Sequence, residues 1–194
     1  MITAVVLAAG ASTRMGRHKL LLPLGREAIV RRTVRQVAEA GFDDLLVVLG
    51  FGHEQLRPAL DGLACRVSVN LEYQDGMGSS FRTAVANLGD SEAALFALAD
   101  QPFVSATEYR RLMEIHRATA PGIICSRYGD VTAPPHLFAR RFFPELSQLV
   151  HGAKPVLERH RDEMVVVDLP PDLLLDIDTP EDYERASRRV SSGL

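Results

Sequence analysis

Val5-Val-Leu-Ala-Ala-Gly-Ala-Ser-Thr-Arg-Met-Gly-Arg-His-Lys19 is the stretch on which the reading of the fold turns. It continues an apolar run that begins at Ile2. A short apolar run rich in β-branched residues and ended by glycine reads as a buried strand. Gly10 follows at once, and Gly16 closes a loop of small and polar residues. Glycine lets backbone approach a ligand closely, and successive free N–H groups in such a loop make an anion cradle. Arg14 and Lys19 add positive charge suited to phosphate, one as a planar fork of donors and one as a compact mobile ammonium. The stretch therefore predicts a strand followed by a phosphate-binding loop.

Two common phosphate loops do not fit it. A P-loop needs G-x-x-x-x-G-K-[ST]. Here five residues separate Gly10 from Gly16, and Arg17-His18 follow. The dinucleotide fingerprint needs G-x-G-x-x-G, whereas Gly50-Phe51-Gly52 is a lone G-x-G. On these residues alone, an ordinary surface loop carrying two basic side chains stays open beside the phosphate-binding reading.

The 194 residues fit one domain, 1–194. An apolar share of 46% and a charged share of 24% are those of an ordinary globular chain. A net charge of −3 leaves no nucleic-acid footprint, so any phosphate-binding charge must be local. Cys65 and Cys125 sit in short β-like segments without zinc-ligand spacing, which favours core packing. The chain opens directly on a strand without a signal-like segment, and no apolar run is long enough to span a membrane. The expected compartment is cytoplasmic.

Further along, Ala28 to Ala40 carries Val30, Val34 and Val37 at helical spacing, with Gly41 as its stop. Leu45 to Leu49 is a buried strand, His53 to Leu60 a short helix and Cys65 to Val69 a third strand. This alternation predicts a parallel sheet covered by helices on both faces. Gly76-Met77-Gly78-Ser79-Ser80 leads into a helix from Phe81 to Asn87, with serine as an N-cap signal; a plain capped helix and a ligand site both fit that string. Ala93 to Ala99 is apolar throughout and ends in Asp100-Gln101-Pro102. Ligands of open α/β sheets bind at the carboxyl ends of strands, so Asp100 stands where chemistry is expected. It could equally cap the next turn, and Ser105-x-x-Glu108 is a capping box. The helix Ala106 to Arg117 carries His116 as a surface residue, and Ile123 to Cys125 is a fifth strand. Tyr128 to Phe138, with Pro134-Pro135, reads as turn-rich, and Phe142-Phe143 read as core packing. Glu163 to Asp168 is another strand. Thr179-Pro180-Glu181-Asp182 starts a helix, and Arg188 to Leu194 reads as a frayed end.

Leu7-Ala8-Ala9-Gly10-x-Ser12-x-Arg14-Met15-Gly16-x-x-Lys19, followed by Leu21-Leu22-Pro23, resembles the signature of the molybdopterin-type, MobA-like nucleotidyltransferases. The likeness is greatest to the molybdenum-cofactor cytidylyltransferase branch. Gly76 to Ser80, Asp100-Gln101-Pro102 and Asp176-Ile-Asp178-Thr-Pro-Glu-Asp182 agree with it in order, so that the resemblance spans nearly the whole chain. It implies a Rossmann-like three-layer nucleotidyltransferase fold with a mostly parallel central sheet. It also implies transfer of CMP from CTP to the terminal phosphate of molybdenum-molybdopterin, with release of pyrophosphate. By the same likeness, Leu7 to Gly10, Ser12, Arg14, Met15, Gly16, Lys19 and Gly76 to Ser80 would bind the nucleotide. Arg14, Lys19 and Asp100 would act in catalysis. Mg2+ would be held by Asp100 and by Asp178, which the Thr179 cap does not need. Pro134, His136, Gly152 and Lys154 would face the acceptor, and a molybdenum enzyme or its chaperone would receive the product. Another phosphorylated acceptor, GTP in place of CTP, or a non-catalytic nucleotide-binding delivery protein are the rivals. One segment departs from the pattern: Val150-His151-Gly152-Ala153-Lys154 stands where relatives carry Gly-Asp-x-Gly-Ala-Arg or Lys. The identity of the acceptor is open on that account.

Overall fold

The computed structural model of the chain describes residues 1–11, 15 and 18–192. The strand β1 (Ile2–Ala8) is buried at every position, as its apolar run predicts. A two-residue pair, β2 (Pro23–Leu24) and β3 (Glu27–Ala28), follows and forms a small sheet of its own. Then come α1 (Ile29–Ala40), β4 (Asp44–Leu49), α2 (His53–Leu56), β5 (Arg66–Val69), α3 (Met77–Ala86) and β6 (Ala93–Leu98). The second half adds α4 (Ala106–Thr119), β7 (Ile123–Tyr128), β8 (Val131–Ala139), α5 (Phe143–Leu146), α6 (Lys154–Arg159), β9 (Met164–Leu169) and α7 (Pro180–Ser191).

The main sheet has seven strands in the order β5-β4-β1-β6-β8-β7-β9. All run parallel except β8, which is antiparallel to both β6 and β7. Successive side chains of a strand point to opposite faces, and β1 shows the consequence. Ile2, Ala4 and Val6 pack with Val30, Val34 and Val37 of α1, Tyr109 and Leu112 of α4 and Ala186 of α7. Val5 and Leu7 pack on the other face with Phe81 and Ala84 of α3, Leu146 of α5 and Val156 of α6. The result is the expected α/β three-layer architecture. α1 ends where Gly41 takes a left-handed φ of 83°, and the Ser105/Glu108 capping box is formed. Phe142 and Phe143 are buried, in keeping with packing.

Four local expectations are corrected. The turn-rich segment before Phe138 is the strand β8. Its prolines are tolerated because they fall where the pairing with β7 shifts register between Cys125 and Arg127, so no ladder N–H is missed. Their carbonyls are bound by side chains: Ser126 Oγ donates to Pro135 O at 2.6 Å and Tyr128 Oη to Pro134 O at 2.9 Å. Helix α3 starts at Met77 with Gly76 as its N-cap, so Ser79 and Ser80 lie inside the first turn and cap nothing. Arg188 to Ser191 continue α7, where Arg189 covers the Phe103 ring at 4.4 Å and pairs with Asp172 at 2.8 Å. Cys65 precedes β5 and is only half-buried, while Cys125 is buried in β7; both are free thiols. Among the described residues, no helix is long and apolar enough to cross a membrane.

Candidate active site

The parallel pairing of β1 with β6 sets Leu7 beside Leu98 and brings the two carboxyl ends together. Ala99 N donates to Leu7 O at 3.0 Å, and Thr33 Oγ1 of α1 donates to Ala99 O at 2.9 Å. These bonds fix the residue that follows, Asp100, at the mouth of the sheet. Ile177 N then donates to Asp100 O at 3.1 Å, which docks the segment carrying Asp176 and Asp178 against it. Helix α7 starts immediately beyond, and the Asp182 carboxylate accepts from Asp178 N at 3.2 Å and Thr179 N at 3.0 Å. The cap of α7 thus holds the Asp178 backbone through its N–H, and the side chain reaches Lys19.

Lys19 closes the group. It opens a 3-10 turn, Lys19–Leu21, and is buried. Its Nζ donates to Asp100 Oδ2 at 2.5 Å and to Asp178 Oδ1 at 2.7 Å. Burial opposes the charge on this ammonium. Attraction to Asp100 and hydrogen bonding to Asp100 and Asp178 outweigh that opposition and hold its pKa above the ordinary value. Beside it, crowding by protein atoms raises the Asp176 carboxyl; the Gln101 hydrogen bond pulls it down, and repulsion from Asp100 and Asp178 adds to the rise. Gln101 Nε2 donates to Asp176 Oδ1 at 2.8 Å, while the amide's buried Oε1 has no hydrogen-bond partner among the described residues. Sequence reasoning missed Gln101 and Asp176 as members of this group, although both lie inside strings it singled out.

Two carboxylates meeting one cation form an oxygen donor set that fits a hard divalent cation, which completes its shell with phosphate and water. Asp100 and Asp178 are the residues that could hold it. Among the described residues, no group of three or more His, Cys, Asp or Glu could do so alone.

The other expected site residues fall into three places. Ser12, Arg14 and Gly16 lie outside the described residues; Met15 is buried in the core and Gly10 is exposed. Ala9 is buried, and a side chain at Gly50 would meet its methyl group, so that methyl faces the β4 end of the sheet. Phe51 N donates to Ala9 O at 3.3 Å. Nearby a shallow pocket of about 300 Å³ is lined by Gly50, Phe51, His53, Asn70 and Tyr73. The His18 ring stacks on Phe51 at 5.3 Å, and Tyr73 meets Phe51 edge-on. The sequence does not anticipate this pocket; Gly50-Phe51-Gly52 reads there only as a lone G-x-G.

The Gly76 to Ser80 string divides. Ser79 and Ser80 are buried, and Asn70 Nδ2 donates to their hydroxyls at 2.7 and 3.1 Å. Their hydroxyls therefore tie α3 to the end of β5. Gly78 N donates to Val150 O at 3.1 Å, and any side chain at Gly78 would collide with the backbone of Leu149 and Val150. The close contact that needs this glycine is with the chain itself. Met77 is exposed and turns to a large cavity.

That cavity, about 760 Å³, is lined by all four residues expected to face an acceptor: Pro134, His136, Gly152 and Lys154. Its walls are apolar, with Leu7, Phe81, Phe96, Leu98 and Phe138, and charged groups including Asp130 and Arg161 complete its lining. Leu98 lies two residues before Asp100, so cavity and carboxylates flank one strand end. His136 is buried; burial lowers its pKa to about 4, so its ring is neutral near pH 7. Ser126 N donates to its Nδ1 at 3.3 Å. Lys154 is exposed and pairs loosely with Glu158 at 3.8 Å.

Comparison with known proteins bears on the family and the fold. Residues 4–164 match the model of the MobA-like NTP transferase domain. A nicotine blue oxidoreductase from Paenarthrobacter nicotinovorans is 34% identical over 135 residues, 69% of this chain and 65% of the relative, so the match spans just under two thirds of that relative's length. The crystal structure of Rv0371c from Mycobacterium tuberculosis H37Rv is 32% identical with a TM-score of 0.83, covering 96% of this chain and 98% of that one. The same protein has also been solved in complex with manganese. A nucleotidyl transferase from Methanothermobacter thermautotroptrophicus is 26% identical with a TM-score of 0.87, covering 100% and 99%.

Proposed function

Since this chain belongs to the MobA-like NTP transferase family, we propose that it transfers CMP from CTP to the terminal phosphate of a molybdopterin-type acceptor. In that reaction an acceptor phosphate oxygen forms a bond to the α-phosphorus of CTP. The bond from that phosphorus to its bridging oxygen breaks, and pyrophosphate leaves. The observation that carries the reading is the convergence of Lys19, Asp100 and Asp178 at the strand ends, beside a cavity with apolar walls.

The attacking phosphate is already ionised, so no strong base is required of the protein. The burden falls on positioning and on neutralising charge as it shifts. Lys19 would hold the phosphates, joined by Arg14 from the loop outside the described residues. Asp100 and Asp178 would hold Mg2+ or Mn2+; Rv0371c has been solved in complex with manganese. The cation, when bound, supplies Lewis-acid stabilisation of phosphate oxygens. The pocket beside Ala9, Phe51 and Tyr73 offers aromatic faces to a nucleobase. The Leu and Phe walls of the large cavity suit a fused ring better than a polyol, which favours a pterin over a sugar phosphate. His136, neutral and deeply set, can offer a hydrogen bond without charge. A molybdenum enzyme or its chaperone would take the product, and the expected compartment is the cytoplasm. The absence of a G-x-G-x-x-G string gives no support to dinucleotide-dependent redox chemistry.

The test is pyrophosphate release with CTP, Mg2+ and molybdenum cofactor. The reading expects release that depends on all three. Release with a sugar phosphate but not with the cofactor would replace the acceptor and keep the reaction class.

A further inference from the structure

We propose that Lys19 is a displaceable counter-ion of the metal-binding carboxylates, so that the divalent cation binds tightly only together with the nucleotide's triphosphate. The inference rests on the nucleotidyl-transfer reading above. It starts from a conflict between two roles. Lys19 is one of the basic residues of the phosphate-loop stretch, yet its ammonium stands where the two carboxylates converge, 2.5 Å from Asp100 and 2.7 Å from Asp178.

The ammonium and a small divalent cation compete for these two carboxylates. An ion bound to them at ~2.0–2.1 Å would stand close to the ammonium that the same carboxylates hold. It would then lie beside a like charge that is only partly screened by water. The side chain of Lys19 is 9% exposed, that of Asp100 21% and that of Asp178 35%. Without nucleotide, the internal cation satisfies the carboxylates and a free metal ion gains little by replacing it. The triphosphate changes the balance in two ways. Its oxygens attract the ammonium away from the carboxylates, since lysine is a strong phosphate partner on a flexible stem. They also supply the further oxygen ligands that two carboxylates lack. Lys19 therefore has two positions, one on the aspartates and one on the phosphates, and metal and lysine exchange places.

Manganese binding by the full chain tests this, read as loss of the free Mn2+ electron paramagnetic resonance signal. The probes are Mn2+ alone and Mn2+ with α,β-methylene-CTP, whose αβ bridge cannot be cleaved. The unmodified chain should bind Mn2+ alone weakly, and with the analogue more tightly than the analogue does by itself. Lys19→Gln and Lys19→Met should each bind Mn2+ alone at least about tenfold more tightly than the unmodified chain, since a nearby like charge is removed. Adding Asp100→Asn to Lys19→Gln should abolish that gain. Thermal melts by circular dichroism establish that each variant is folded. Two results would overturn the exchange and leave nucleotidyl transfer standing. One is an unmodified chain that binds Mn2+ equally with and without the analogue. The other is folded lysine variants that bind it no more tightly than the unmodified chain. Failure of every form to bind Mn2+, with or without the analogue, would overturn both the exchange and the assignment of Asp100 and Asp178 to a metal.

Discussion

Asp178 Oδ1 lies 2.7 Å from Lys19 Nζ although 159 positions separate the two residues in the chain. The contact closes the site: a residue from the segment after the first strand meets one from the segment before the last helix, and the same ammonium also reaches Asp100. Strand pairing places Asp100, the cap of α7 places Asp178, and Lys19 joins them.

Asp100→Asn tests the metal assignment while keeping the shape of the side chain. Turnover should fall on the order of 10²–10³-fold, the loss typical of removing one group that stabilises transition-state charge. The melting temperature should change little, because Lys19 keeps Asp178. Near-normal turnover at saturating Mg2+ would take Asp100 out of the mechanism.

Lys19→Ala separates ground-state from transition-state binding. A charge on the phosphates matters most as charge moves onto the leaving group, so kcat should fall more than KM for CTP rises. Steady-state kinetics over CTP concentration read this directly. A rise in KM alone would make Lys19 an anchor of the bound nucleotide.

Much of the fold was legible in the sequence because each central strand is a short apolar run ended by glycine or a polar residue. β8 was not, since Pro134-Pro135 argues against a strand unless a register shift removes the need for their N–H groups. For the candidate site, the strings around Lys19, Asp100 and Asp178 hold the three residues whose side chains the fold brings into contact. Their meeting on a single ammonium was not legible, because nothing local relates residues 81 and 159 positions apart. Ser79 and Ser80 misled for the opposite reason. Their local pattern suggests a cap, and only the fold shows Asn70 holding both hydroxyls.

His136 gives a pH signature. Burial lowers its folded pKa to about 4, while the unfolded chain takes up that proton near ~6.5. The unfolded state therefore binds the extra proton first as pH falls. Stability should be unaffected by this ring above pH ~6.5 and should decline below it, by an amount on the order of 3 kcal/mol by pH ~4. Urea unfolding at a series of pH values, compared with His136→Gln, checks this. Identical slopes for the two proteins would show that His136 does not carry the effect.

Gly78→Ala places a methyl group against the backbone of Leu149 and Val150. The start of α3 and the segment leading to Gly152 and Lys154 must then move apart, at a cost of about 1–3 kcal/mol. Gly152 and Lys154 line the large cavity, so KM for the acceptor should rise more than KM for CTP. Equal changes in both would mean that this contact does not shape the cavity.

Ala9→Gly concerns the base. The Ala9 methyl packs toward Gly50, beside the Phe51 and Tyr73 pocket. One methyl group changes selectivity by only ~10–200-fold. The variant should narrow a CTP preference over GTP in kcat/KM without inverting it, as measured by competition between the two nucleotides. An unchanged ratio would place base selection elsewhere.

The most direct measurement follows the α-phosphate itself. The chain is incubated with CTP labelled at the α-phosphorus, Mg2+ and molybdenum cofactor, and the products are separated. Nucleotidyl transfer predicts label in a cytidine dinucleotide of the cofactor, in amounts equal to the pyrophosphate released, and no product from Asp100→Asn. Label that stays in CTP, or appears only as free CMP, with every nucleotide and acceptor offered, would contradict the account.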